Sequence, residues 1–299
     1  MTASLSRTLL RCALLVPLWL ALPPAPAAAQ VPERIAPSDT LVQVRLADGS
    51  TLFGRVVAVE DERVVLETEA GARVEVTRAQ IRSLRPVAGR VRDGEVWEED
   101  PHATRLFFAP TGRALRAGEG YFGVYELFFP FVTFGVADRL TVAAGTPIVP
   151  GAIGEFAYVG PKLLLVDAPR MQVSAGVFAG FFDGGTAGIA YGVGTWGDRD
   201  DAITAGAGWG FTTDGDDSEV SSKPLVMLGG ETRAGRRTKL LTENYFVFGE
   251  SGGIVSGGVR FFGDRLSADA GIATLLGAGC DGQCILPVVN FVYSFGRAR

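Results

Sequence analysis

The chain contains one histidine, His102, and three cysteines in 299 residues. A lone histidine excludes a multi-histidine metal centre. Cys12 lies in the N-terminal segment, so Cys280 and Cys284 are the two thiols left, too few for a four-ligand structural zinc site. Charged residues make only 20% of the chain and the net charge is -5, so the concentrated Lys and Arg of a phosphate-binding surface are missing and no nucleic acid partner is expected. After the N-terminal segment, no apolar run reaches the roughly 18 residues of a helical membrane span. With 47% hydrophobic residues and 40 glycines, the scarcity of charge also excludes a disordered chain and a coiled coil.

What is present begins with an export segment. Arg7 and Arg11 precede the apolar stretch Cys12 to Leu22, and Ala27, Ala28 and Ala29 precede Gln30, which predicts a secretory signal over 1–29 cleaved after Ala29. In an exported chain the pair within Gly277-Ala-Gly-Cys-Asp-Gly-Gln-Cys284 is expected to close a small loop as a Cys280–Cys284 disulfide, two free thiols being the alternative.

Composition then divides the chain. Five glycines precede Thr104 and 35 follow it, and Phe53 alone of the 19 phenylalanines lies before that point. A unit over 39–86, a charged linker over 87–103 containing Glu98-Glu-Asp-Pro-His102, and a unit over 104–299 are expected. In the first unit, Leu41 to Leu46, Leu52 to Val59, Val64 to Thr68 and Arg73 to Val76 alternate apolar and polar residues between turn signals such as Asp48-Gly49 and Ala70-Gly71. The run Val44-Arg-Leu-Ala-Asp-Gly-Ser-Thr-Leu-Phe-Gly-Arg-Val56, with Ile81-Arg82, resembles the signatures of the Sm-like small barrels. The resemblance implies a small Sm-like or SH3-like β-barrel. RNA binding does not carry over, because Glu60-Asp-Glu-Arg63 replaces the loop that family uses. An adaptor touching cell wall or a periplasmic protein partner through residues 39–86, or a folded spacer, is expected.

From Gly120 onward the chain reads as segments of about 8 to 12 residues with period two. Ile203, Ala205, Ala207, Trp209 and Phe211 share one face, and Thr204, Gly206, Gly208 and Gly210 the other. Val289, Phe291, Tyr293 and Phe295 oppose Val288, Asn290, Val292 and Ser294, and similar pairs of faces recur over 255–261 and 266–272. A large apolar face opposite a small or polar one is what a membrane barrel requires, with lipid outside and a lined lumen inside. Glu126, Glu243 and Asp269, facing Arg233, Lys239 and Arg260, are the candidate lumen charges. Short polar connections at 137–139, 167–170, 197–201, 234–238 and 263–265 alternate with others at 147–154, 183–185, 214–223, 249–253 and 277–284. About twelve strands follow, with a first hairpin around Pro130 or else with Thr104 to Ala109 as the twelfth strand. An even count places both ends in the periplasm.

The unit over 104–299 thus resembles Gram-negative outer-membrane β-barrel proteins. Pro101-His-Ala-Thr-Arg-Leu-Phe-Phe-Ala-Pro-Thr111 followed by Gly118-Glu-Gly-Tyr121 resembles the opening of a bacterial barrel family to which no chemistry is assigned. One departure is Gly-Arg-Ala-Arg299 after Phe295, where such barrels usually finish on an aromatic residue. The fold class implied is all-β: an up-and-down antiparallel transmembrane barrel of about 12 strands preceded by the small barrel, in the outer membrane and contacting its lipid.

Known barrel enzymes carry a histidine base within the barrel or at its rim. His102, before the first strand in a charged linker, is expected in solvent, so no catalytic residue, cofactor or metal site is assigned. Asp214-Gly-Asp-Asp-Ser-Glu219 offers oxygen ligands for Ca²⁺ but is read as a solvated loop. Trp196, Trp209, Tyr121, Tyr125, Tyr191, Tyr245 and Tyr293 are candidates for interfacial aromatic belts. The expected function is that of a non-enzymatic structural barrel or narrow passive pore. The alternative is a soluble periplasmic β-barrel or sandwich that binds an apolar ligand.

Overall fold

The computed structural model describes residues 35–87, 89–92, 95–149, 154–215, 217–277 and 284–296. The signal expected at 1–29 and Cys280 lie outside the described residues; Cys284 is disulfide-bonded. The chain divides into two compact units, Met1–Arg85 and Pro86–Arg299.

In the first unit, β1 (Ser38–Leu46), β2 (Thr51–Glu60), β3 (Arg63–Glu67), β4 (Arg73–Thr77) and β5 (Ile81–Pro86) form one sheet in the order β4-β3-β2-β1-β5. The alternation read from the sequence puts Val42, Val44, Val56, Val64, Leu66, Val76 and Ile81 into a common core. A 3-10 turn, Arg78–Gln80, carries the chain from β4 on one edge to β5 on the other. Thr77 N–H donates to Gln80 Oε1 at 3.1 Å within that turn. The two edges do not pair with each other, so the sheet is open where a closed Sm-like or SH3-like barrel is expected from the sequence.

In the second unit, β6 (Gly89–Arg92) and β7 (Glu95–Glu98) form a hairpin within the stretch expected to be a plain linker. Twelve strands then close into an antiparallel barrel. They are β8 (Glu119–Tyr125), β9 (Phe129–Ala137), β10 (Leu140–Gly145), β11 (Phe156–Ala168), β12 (Met171–Phe182), β13 (Gly185–Gly197), β14 (Ala202–Asp214), β16 (Leu225–Gly235), β17 (Thr238–Val247), β18 (Gly253–Phe262), β19 (Leu266–Leu276) and β20 (Ile285–Gly296). Each pairs with its neighbour in sequence, and β8 pairs with β20 to complete the circle. The extra short strand β15 (Asp217–Val220) extends the end of β14 as a hairpin in which Asp214 opposes Asp217.

The strand count matches the sequence reading, but the first hairpin lies elsewhere. Its turn is Glu126 to Phe128, with Glu126 and Leu127 at φ 49° and 63°, and Pro130 sits inside β9 opposite Val124. As the second residue of its strand, Pro130 can pair there despite lacking an N–H. Thr104 to Ala109 is not a wall strand at all.

The alternation decides the two faces. Ile203 is 66% exposed on the outside, whereas Thr204 beside it is fully buried inside. Phe134, Leu163, Trp209, Leu228, Leu240, Phe261, Ile272 and Phe291 are likewise exposed outward. Ser174, Thr195, Lys239, Arg260, Asp269 and Asn290 are buried inward. Trp196, Trp209 and Tyr293 lie on the outside, but Tyr121, Tyr125, Tyr191 and Tyr245, read as belt candidates, belong to the lumen side. The rings need small neighbours: a Cβ at Gly176 would lie 2.7 Å from the Tyr191 hydroxyl, and one at Gly145 2.6 Å from that of Tyr158.

Candidate functional site: a lumen closed by the chain's own segment

Both ends of the barrel wall, Glu119 and Gly296, pair side by side at what is here called the proximal end. There the hairpin β6–β7 is tied to the turns of the wall through Arg90–Asp200, Arg237–Glu98 and, at 3.1 Å, Arg236–Glu95. Arg233, expected to be a lumen charge, is drawn into this rim. Its guanidinium lies 4.7 Å from the Phe262 ring centroid and 5.5 Å from that of Trp97, and it donates to the Glu98 carbonyl.

From Glu99 the chain turns inward, and residues 100–115 fill the proximal half of the lumen. Asp100, His102, Ala103, Thr104, Arg105, Leu106, Phe107, Ala109, Thr111, Arg113 and Leu115 are all buried. The segment builds a tight hairpin of its own: Thr111 N–H donates to the Thr104 carbonyl at 3.0 Å and Leu106 N–H to that of Ala109 at 2.9 Å. Leu106, Phe107 and Ala109 pack on Val193, Met227, Leu241 and Val288 of the wall. Gly112 passes so close to the wall that a Cβ would stand 2.2 Å from the Gln172 carbonyl oxygen and 2.9 Å from Thr195 N.

The plug is held by charge. Asp269 accepts from Arg105 at 2.6 Å and from Arg260 Nε at 2.7 Å. Arg260 reaches Asp100 at 3.1 Å, and Lys239 lies 3.4 Å from Asp100 and 2.7 Å from Glu231. Glu231 also pairs with Arg113. Seven charged side chains, three from the plug and four from the wall, thus form one chain of ion pairs. Arg260 in addition donates to the carbonyls of His102, Arg105 and Leu106 at 3.2, 3.2 and 2.6 Å. Charges removed from water are costly unless paired and hydrogen-bonded; all seven side chains here are paired, and among their buried polar atoms only Arg105 Nε has no partner among the described residues. Glu243 makes no ion pair among the described residues. It accepts from the Phe108 and Ala109 backbone N–H groups at 3.0 and 3.2 Å and from the Tyr245 hydroxyl.

Lys239, Glu243, Arg260 and Asp269 therefore all point inward, but their partners include Asp100, Arg105 and Glu231, and Glu231 in turn holds Arg113; the sequence reading selected none of these four. The inward parity of β16 contained a signal for Glu231, since Met227, Gly229 and Glu231 alternate with outward Leu228. The plug residues carry no such signal, being irregular in sequence. Glu126 lies in the β8–β9 turn, where its carboxylate accepts from Val289 N at 3.2 Å and partial burial raises its pKa.

His102, expected in solvent, is fully buried inside the barrel. Its Nε2 lies 2.9 Å from Ser294 Oγ and its ring meets Tyr121 edge-on at 5.2 Å. A nucleophile pair needs a third group to orient the imidazole, yet His102 Nδ1 has no hydrogen-bond partner among the described residues. The residues lining the cavity described below include neither His102 nor Ser294. The pair ties the plug to β20, with His102 fully buried and Ser294 half-buried. Among the described residues no cluster of three or more His, Cys, Asp or Glu is placed to hold a metal ion.

On the far side of the plug the described residues leave part of the lumen unfilled. A cavity of about 270 Å³ is floored by Thr104, Arg105, Phe108, Ala109 and Pro110 and walled by Tyr121, Tyr125, Phe131, Tyr158, Phe178, Ile189, Tyr191, Leu225, Met227 and Tyr245. Tyr125 and Phe131 stack at 4.0 Å with planes 7° apart, and Phe108 at the tip of the plug hairpin leans on Tyr125 at 5.3 Å.

Solved structures similar to this chain are barrels. The KdgM porin in complex with disordered oligogalacturonate is 8% identical, with 60% of this chain and 98% of that one covered and a TM-score of 0.43. The NanC porin is 10% identical, with 60% and 98% covered and a TM-score of 0.36. Outer-membrane expressed OmpT of Vibrio cholerae is 13% identical, with 88% and 100% covered and a TM-score of 0.36. Likeness at this level carries no conclusion about activity, and the closed twelve-strand barrel rests on this chain's own pairing. No protein-family model and no curated protein matches the chain.

Proposed function

We propose that this protein is a non-enzymatic outer-membrane barrel that is structural and self-occluded: residues 100–115 shut the proximal half of a lumen that would otherwise form a narrow passive pore. The observation that carries the reading is the ion-pair chain from Arg105 to Arg113, which anchors the plug to four wall strands. An outward face of Phe, Leu, Ile and Trp supports a lipid surround, and the short proximal turns suit the periplasmic side. The unit over 39–86 then hangs in the periplasm, where an adaptor role toward a protein partner or the cell wall fits its position.

Fractionation followed by gel migration with and without boiling in detergent tests the location. Recovery in the outer membrane with a heat-dependent shift is expected; a soluble periplasmic protein with no shift would turn the reading to the soluble binder. Planar-bilayer recording tests the occlusion: the intact protein is expected to conduct little or nothing, and a steady open-pore current would overturn it. Loss of a co-purifying partner on deletion of 39–86, with the barrel intact, would support the adaptor.

A further inference from the structure

The buried charges of the lumen do not balance. Among the described residues, five buried cations (Arg105, Arg113, Lys162, Lys239, Arg260) meet four buried carboxylates (Asp100, Glu231, Glu243, Asp269). Two of them make no ion pair among the described residues: Glu243, met by backbone N–H groups and the Tyr245 hydroxyl, and Lys162 on β11. Lys162 is 4% exposed, and its ammonium donates to the Thr111 and Arg113 carbonyls at 2.8 and 2.6 Å. No carboxylate of the described residues makes an ion pair with it. Two carbonyls satisfy two of its three donors and leave its charge uncompensated, a costly arrangement away from bulk water.

Lys162 lines the aromatic cavity, and so does Arg105, whereas no Asp or Glu does. The cavity thus combines the Lys162 ammonium on its wall, tyrosine hydroxyls and wide aromatic surfaces, the composition of a pre-formed small-molecule site with few polar groups fixing orientation. At about 270 Å³ it holds a body of one or two rings or a medium-length alkyl chain. We propose that the cavity binds a small monocarboxylate with an apolar, preferably aromatic, body. The carboxylate lies at Lys162 and supplies the missing negative charge, and the body stacks among Tyr125, Phe131, Tyr158 and Tyr191. This goes beyond the occluded-barrel reading and needs only the folded barrel, since the cavity lies inside the wall whatever solvent surrounds it.

The test uses the full chain refolded in detergent, with 2-naphthoate and its neutral counterpart 2-naphthylmethanol as probes in titration calorimetry. Naphthoate is expected to bind at least 10-fold tighter than the alcohol, and Lys162→Gln to abolish that preference while leaving the alcohol unchanged. Equal affinity for both probes, or no binding of naphthoate, would overturn the proposal. So would a preference that survives Lys162→Gln. The heat-dependent gel shift reports folding of each variant independently of ligand and of membrane location. If Lys162→Gln does not fold, Ala143→Phe, which fills the cavity from β10, replaces it: naphthoate binding is then expected to fall at least 10-fold, and unchanged binding would overturn the site.

Discussion

Replacing Arg260 with Met removes the residue that joins wall to plug most extensively. The guanidinium binds the carboxylates of Asp269 and Asp100 and three plug carbonyls, all with donor distances between 2.6 and 3.2 Å. Truncation leaves two buried carboxylates short of a cation, and breaking a buried pair in this way costs about 3–5 kcal/mol. The strand ladders do not pass through the plug, so the cost falls on the equilibrium between plug seated and plug released. At about 1.4 kcal/mol per factor of ten, release should rise by roughly 100-fold to several thousand-fold. Ala103, which is 3% exposed in the plug, reports this as Ala103→Cys through its rate of modification by a polar maleimide. The background is slow modification, and Arg260→Met should raise the rate by at least 100-fold while the heat-dependent gel shift is retained. Arg260→Lys keeps the charge without the fork and should fall between. A folded Arg260→Met whose rate changes by less than about threefold would refute the idea that this network seats the plug.

Three further outcomes are expected. Gly112→Ala places a methyl against the β12 and β13 backbone, so it should unseat the plug and raise Ala103→Cys modification even with every ion pair intact. Leu163→Arg, at the middle of β11 on the outer face, should cost about 2–4 kcal/mol of folding stability in phospholipid if that face meets hydrocarbon, and almost nothing if it meets water. Asp198, in the β13–β14 turn, accepts from the backbone N–H groups of Asp201 and Asp200 at 3.0 and 2.8 Å, which hold its carboxyl below the usual carboxylate range. Its folded value being the lower, its stabilisation is present above the unfolded value and is lost as pH falls through the folded one. An acid titration of unfolding should therefore show Asp198→Ala to be less sensitive to pH than the parent between about pH 4 and pH 2.

The barrel wall is legible in the alternation alone. Period-two alternation forces Ile203 and Thr204, or Phe291 and Asn290, to opposite faces, and a one-residue slip would invert every side chain, so a wall with one apolar face has one workable register. The same parity marks Lys239, Glu243, Arg260 and Asp269 as inward residues, and it would have marked Lys162 and Glu231 as well. What fills the lumen depends instead on contacts between residues far apart in the chain. Residues 100–115 have no period, and their charges read as solvent-exposed until Arg260, Asp269 and Lys239 are brought opposite Asp100 and Arg105 from more than 130 positions away. His102 illustrates the difference: its neighbours in sequence are charged and predict exposure, but its neighbours in space are Ser294 and Tyr121 inside a closed wall. The open edges of the N-terminal sheet have the same origin, since alternation fixes which residues face a core but not whether the first and last strands of a sheet meet.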